Sequence, residues 1–111
     1  MMEMEPQARS TLDPFEIARA VADTVRAVPE IADLGSGRYS EAATYGPSGR
    51  VHGVVVREEP TGLLIEIHVV ARYNADVDLE RIAGRVRERT KEALARHAVS
   101  ARVDVFIEDI V

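Results

Sequence analysis

The chain has 111 residues, 46% apolar and 30% charged, the make-up of one small globular domain rather than of a disordered segment. Its 14 Lys+Arg against 19 Asp+Glu give a formal net charge of −5, which argues against a general nucleic-acid binder at the level of the whole chain. There is no cysteine, which excludes disulfide frameworks, thiol catalysis and Cys-ligated metal centres, and no apolar run exceeds three residues, so neither a transmembrane helix nor a secretory segment is expected. The default compartment is the cytoplasm.

Residues 1–11 are polar, aperiodic and contain Pro6; they read as a disordered tail ahead of a single domain over 12–111. Asp13-Pro14-Phe15-Glu16 opens a helix, with Asp13 as N-cap, Pro14 at the first helical position and Glu16 at the third. Ile17, Val21, Val25 and Val28 then form one apolar stripe, opposite Glu16, Arg19, Asp23 and Arg26, and Pro29 closes the segment. Three strands are predicted next. Residues 38–45 are weakly apolar, Gly46-Pro47-Ser48-Gly49 is a turn, and 51–58 resumes as a strand. Glu59-Pro60-Thr61-Gly62 turns again into 63–73, whose odd positions Leu63, Ile65, Ile67, Val69, Ala71 and Tyr73 face one way while Glu66, His68 and Arg72 face the other.

Asp78 is the expected cap of a second helix carrying Leu79, Ile82, Val86, Ala93 and Leu94 on one stripe and ending near His97. Gly84 inside it is unfavourable by about 1 kcal/mol relative to Ala, which suggests a place where another backbone comes close. A last strand covers 102–109, with Val103, Val105 and Ile107 inward. The order α-β-β-β-α-β gives an antiparallel meander followed by a crossover to a parallel strand. The expected fold is an α+β two-layer sandwich, two helices on one face of a mixed four-stranded sheet, with the other face open.

No constellation in the sequence demands chemistry. His52 and His68 fall on adjacent predicted strands and His97 ends a helix, but no HxH or HExxH spacing is present, so no metal site is expected. Asp76-x-Asp78 is accounted for by helix capping, and Gly35-x-Gly37 lacks the third glycine of a dinucleotide loop. Gly46-Pro47-Ser48-Gly49 has the letters of the RNA-clamping GXXG loop of KH domains, but its flanks read as strands rather than helices. The carboxylates are dispersed and nominate no acid/base pair. The expectation is a chain without catalytic residues, cofactor or metal.

Two surfaces stand out instead. Between Leu79 and Ala98 lie six Lys+Arg and three Glu, a net of +3 that leaves −8 on the remainder. Arg81, Arg85 and Arg89 recur every four residues along that helix and repel unless something acidic faces them. On the outward sheet face, Leu64 and Val70 accompany His68 and Arg72, and Phe106 sits among Arg102, Asp104 and Glu108. An apolar patch with a charged rim marks a contact surface, so the candidate interaction residues are Leu64, His68, Val70, Arg72, Phe106, Arg81, Arg85 and Arg89. The alternative is a small KH-like RNA-binding module that uses the basic helix.

Val69-Val70-Ala71-Arg72-Tyr73-Asn74, then Val77-x-Leu79-x-x-Ile82-Ala83-x-x-Val86, then Val103-Asp104-Val105-x-Ile107 resembles the core pattern of the bacterial alkaline shock (envelope stress response) protein family. The opening Ile17-Ala18-x-Ala20-Val21 and closing Val28-Pro29 are similar as well, and 13 Arg to one Lys suits a high-GC Gram-positive bacterium. The chain departs from the family at Glu30-Ile31, at Asn74, and around His97-Ala98, where a helix-ending Gly is absent. The resemblance implies a non-enzymatic cytoplasmic protein of envelope homeostasis. It would act by self-association, by binding a membrane-anchored partner, or both.

Removing the predicted first cap tests the local reading. Asp13→Ala is expected to lower unfolding stability by roughly 1 kcal/mol in a urea titration.

Overall fold

The computed structural model describes residues 12–37 and 41–111; the expectations for residues 1–11 and 38–40 lie outside the described residues. Helix α1 (Pro14–Arg26) begins as its opening residues dictate. Asp13 Oδ1 accepts from the Glu16 N–H at 2.8 Å while Glu16 Oε1 accepts from the Asp13 N–H at 3.0 Å, a reciprocal box that satisfies two otherwise unpaired donors. Ile17, Ala18, Val21, Ala22 and Val25 are buried, and Glu16, Arg19, Asp23 and Arg26 are exposed.

Among the described residues six strands follow: β1 (Ile31–Leu34), β2 (Ala43–Gly46), β3 (Gly49–His52), β4 (Val54–Glu59), β5 (Gly62–Ala71) and, after helix α2 (Leu79–Ala95), β6 (Ala101–Ile110). The fold is α+β, with element order α-β-β-β-β-β-α-β in place of the expected α-β-β-β-α-β. Two differences account for the added strands. β1 is only four residues long and carries Asp33, so alternation does not announce it. The strand expected over 51–58 is divided at Gly53, whose φ of +85° is open to glycine and strained for other residues. A Cβ there would lie 2.7 Å from Leu34 Cβ and 2.9 Å from Gly35 O, so the chain can pass only without a side chain. The expected meander therefore breaks into two hairpins, β2–β3 and β4–β5.

β5 is the centre of the main sheet. β6 runs parallel along one of its edges, from Leu63↔Ala101 to Ala71↔Ile110. The opposite edge is shared end to end by two antiparallel strands, β4 against 62–67 and β1 against 69–71. The β2–β3 hairpin forms a separate two-stranded sheet packed on α1, where Gly46 leaves room for the Phe15 ring.

Alternation places the core. Ile65, Ile67, Val69 and Ala71 of β5 are fully buried beneath Val21 and Val25 of α1 and Ile82, Val86 and Leu94 of α2. Burial of each large aliphatic side chain contributes roughly 1.5–3 kcal/mol. Tyr73, expected on this face, lies beyond the end of β5 and is 69% exposed.

Helix α2 starts as expected, with Asp78 Oδ1 accepting from the Arg81 N–H at 3.2 Å, and in the turn before it the Asp76 backbone N–H donates to Asn74 Oδ1 at 2.8 Å. Gly84 does not meet a close backbone; the space beside it is open. At the helix end, Ala98 takes the left-handed conformation (φ 59°) where glycine is usual, and Val99 N–H closes back on Leu94 O at 2.9 Å. Two stabilising substitutions follow: Gly84→Ala and Ala98→Gly are each expected to raise unfolding stability by about 1 kcal/mol in urea melts, the first through helix propensity and the second through relief of a left-handed Ala.

Candidate functional site

The outward side of β5 and β6 presents Leu64, Glu66, His68 and Val70 beside Arg102, Asp104, Phe106 and Glu108. His68 is held through its backbone first. Its N–H donates to Gly53 O at 2.8 Å and its carbonyl accepts from Gly35 N–H at 2.7 Å, at the point where β5 passes from one edge partner to the other. Parallel pairing sets Phe106 directly beside it, and the two rings stack with centroids 4.8 Å apart and planes 19° from parallel.

The third member of the group comes from an irregularity. Val69 pairs with Ile107 and Val70 with Asp109, so Glu108 is an extra residue in β6. This bulge turns Glu108 back toward His68, and Glu108 Oε2 lies 2.8 Å from His68 Nδ1. An ionised carboxylate only accepts, so Nδ1 carries the hydrogen of this bond. Glu108 Oε1 also accepts from the Gly37 N–H at 3.3 Å, which ties the loop after β1 to the same carboxylate. His68 Nε2 is enclosed and has no hydrogen-bond partner among the described residues; its nearest carboxylate oxygen, Glu66 Oε1, is 3.9 Å away. Glu66 Oε2 is engaged by Arg57 Nε at 3.2 Å.

Together these residues line an open cleft of about 590 Å³, with Val55 and Phe106 as its apolar surface and Glu41 and Arg57 at its charged margin. The sequence nominated no acid/base pair, yet Glu108 and His68 form one. What the pair can do is limited by shielding: Nε2, the atom a general base would use, is covered by protein. The arrangement fixes a ring and, through it, Phe106, which remains 44% exposed. Among the described residues no three metal-ligating side chains converge.

The other candidate residues separate. Leu64, expected at the surface, is 4% exposed between Arg57 and Arg102, its cross-strand neighbours, and so contributes to no surface patch. Val70 is half-buried between Asp33 and Asp109. Arg72 is exposed past the end of β5, with its Nε donating to Pro29 O at 3.1 Å. On α2, Arg85 pairs with Glu30 at 3.4 Å, so the basic stripe does have an acidic residue facing it, and Arg87 Nε donates to Val103 O at 3.2 Å. Arg81 and Arg89 are exposed. His52 sits on β3, outside the four-stranded sheet, and His97 is exposed beyond α2.

Sequence reasoning put Glu66 on the same face as His68 but missed Glu108 as its hydrogen-bond partner. Glu66 shares a strand face with His68 by simple alternation, but Glu108 depends on the register of β6 and on its bulge, neither of which leaves a sequence mark. Comparison with known proteins finds no matching family profile, no matching curated protein and no matching solved structure.

Removing the Glu108 carboxylate strands the His68 Nδ1–H and the Gly37 N–H in a site where both side chains are under one-fifth exposed. Glu108→Ala is expected to lower stability by about 1–3 kcal/mol in chemical denaturation.

Proposed function

We propose that this chain is a non-enzymatic interaction protein of the envelope stress response type, acting in the cytoplasm by self-association, by binding a membrane-anchored partner, or both. One observation carries the reading: Phe106, a large aromatic side chain on the outer sheet face, is half exposed and stacks on a hydrogen-bonded His68. An apolar anchor already fixed in place loses little rotamer freedom on contact, which favours binding. The surrounding Arg57, Glu66 and Asp104 supply a charged rim, the usual margin of a contact surface. No helix of the described residues is long and apolar enough to cross a membrane.

The family resemblance supports the biological setting, and the pairing of a +3 helix with a −8 remainder supports docking between oppositely charged surfaces. The RNA-binding alternative rests on Arg81 and Arg89, which stay exposed, but it loses Arg85 to Glu30 and Arg87 to the Val103 carbonyl. The Gly46-Pro47-Ser48-Gly49 segment is the turn of the β2–β3 hairpin, which is not the helix-flanked setting of a KH clamp.

Light scattering over a concentration series, with pull-downs from the native host with and without membranes, tests the proposal. Phe106→Asp is expected to reduce association or capture at least tenfold while leaving the fold intact. A strictly monomeric chain whose captured partners are unchanged by Phe106→Asp overturns it.

A further inference from the structure

We infer that Arg87 is an edge guard: by holding Val103 O it keeps the outer edge of β6 from pairing with a strand of a second copy of the chain. The contact is autoinhibitory toward strand addition and separate from recognition through Phe106.

The backbone directions come first. Tyr73 N–H donates to Val111 O at 2.6 Å and Val111 N–H donates to Ala71 O at 2.9 Å, so odd-numbered β5 residues direct their peptide groups at β6. In a parallel ladder each residue bonds to the two that flank its partner. Ile65, opposite Val103, therefore engages Arg102 and Asp104, and the peptide groups of Val103, Val105 and Ile107 point away from β5. Among the described residues β6 pairs with β5 alone. The edge of a ten-residue strand in that position is a template for another strand unless something blunts it.

Two features blunt it. Arg87, half-buried on α2, sends its Nε–H to Val103 O at 3.2 Å. An incoming strand needs that carbonyl as an acceptor and must first displace a charged donor from it. The second feature is the bulge at Glu108, past which the outward parity changes. Between guard and bulge the regular edge is reduced to residues 104–107, shorter than the usual strand of about five or six residues. Without Arg87 it would run from 101 to 107.

The rest of the molecule supports this assignment. The β4 edge is closed in the same manner, by one side chain from another element: Thr44 Oγ1 donates to Val54 O at 2.7 Å and accepts from the Val56 N–H at 3.2 Å. Arg87 also differs from its neighbours on α2. Arg85 pairs with Glu30, and Arg81 and Arg89 are exposed, whereas Arg87 has no carboxylate partner among the described residues and gives its hydrogen bond to the main chain of the edge strand.

The test turns on one atom. Glutamine carries an amide nitrogen at the same place along the side chain as arginine Nε, and methionine carries a methyl group there. In the full-length chain, Arg87→Met is expected to associate at a concentration about tenfold or more below that of the native chain in light scattering, with the circular dichroism of the dilute protein unchanged. Arg87→Gln, equally uncharged but still a donor, is expected to behave as the native chain. Arg87→Ala takes the place of Arg87→Met should the latter fail to fold. Adding Val105→Pro, which removes an outward N–H and is tolerated on an edge strand, is expected to abolish the gain. Amide exchange gives a second readout: the Val105 and Ile107 N–H groups are expected to become protected when Arg87→Met associates. Adding Phe106→Asp is expected to leave the gain in place. A folded donor-free variant that associates no more than the native chain, an Arg87→Gln variant that associates as Arg87→Met does, or association without protection at Val105 overturns the inference. A gain lost with Phe106→Asp also overturns it and leaves association through the outer face standing.

Discussion

The structure turns on the peptide group of His68. Its N–H is bound to Gly53 and its carbonyl to Gly35, so one residue of β5 fastens the end of β4 and the exit from β1 at the same point. Those two segments meet so closely that Gly53 admits no side chain, while Gly35 packs against the end of the Glu108 side chain. A ten-residue strand whose edge partner changes part-way would otherwise leave unpaired backbone groups at the junction, each unfavourable when buried. The backbone of His68 closes that gap, and its side chain closes a second one across the face by binding Glu108 and stacking on Phe106.

Because His68 is fixed from both ends, the geometry of the outer face follows from the fold rather than from surface side chains settling independently. Loop 35–37 is held by the Gly35 and Gly37 N–H groups, the first to β5 and the second to β6 through Glu108. The cleft is thus bounded by three chain segments that share one hydrogen-bonded node. Its exposed aromatic ring is an oriented feature, which distinguishes Phe106 from Tyr45 or Tyr73, exposed at a hairpin and beyond a strand end.

Much of this was legible in the residues. The capping box at Asp13 and Glu16, the Asp78 cap, both turns and the alternation of β5 are local signals, and local signals carry helices, hairpins and the buried face of a central strand. Gly53, by contrast, is one glycine in a run that alternates well enough to read as continuous, and its kink appears only when Leu34 and Gly35 occupy the adjacent space. Leu64 was misplaced because alternation says which face a side chain takes and nothing about how far Arg57 and Arg102 extend beside it. Glu108 required knowledge of a bulge, a product of pairing between strands more than thirty residues apart in sequence. Ala98 shows the reverse case: the missing glycine was visible, yet the chain still makes the left-handed turn with alanine.

β6 divides its duties by parity. Even residues spend their peptide groups on β5 and raise Arg102, Asp104 and Phe106 on the outer face; odd residues turn their peptide groups to the far edge, where Val103 O accepts from Arg87, and their side chains to the core. Glu108 ends that pattern. Its carboxylate accepts from His68 and from Gly37, which ties the bulge to β5 and to the loop after β1. The bulge thus links the register of β6 to the placement of His68 and the ring stacked on it, so the geometry of the outer face depends on Glu108, which is no part of the exposed ring itself.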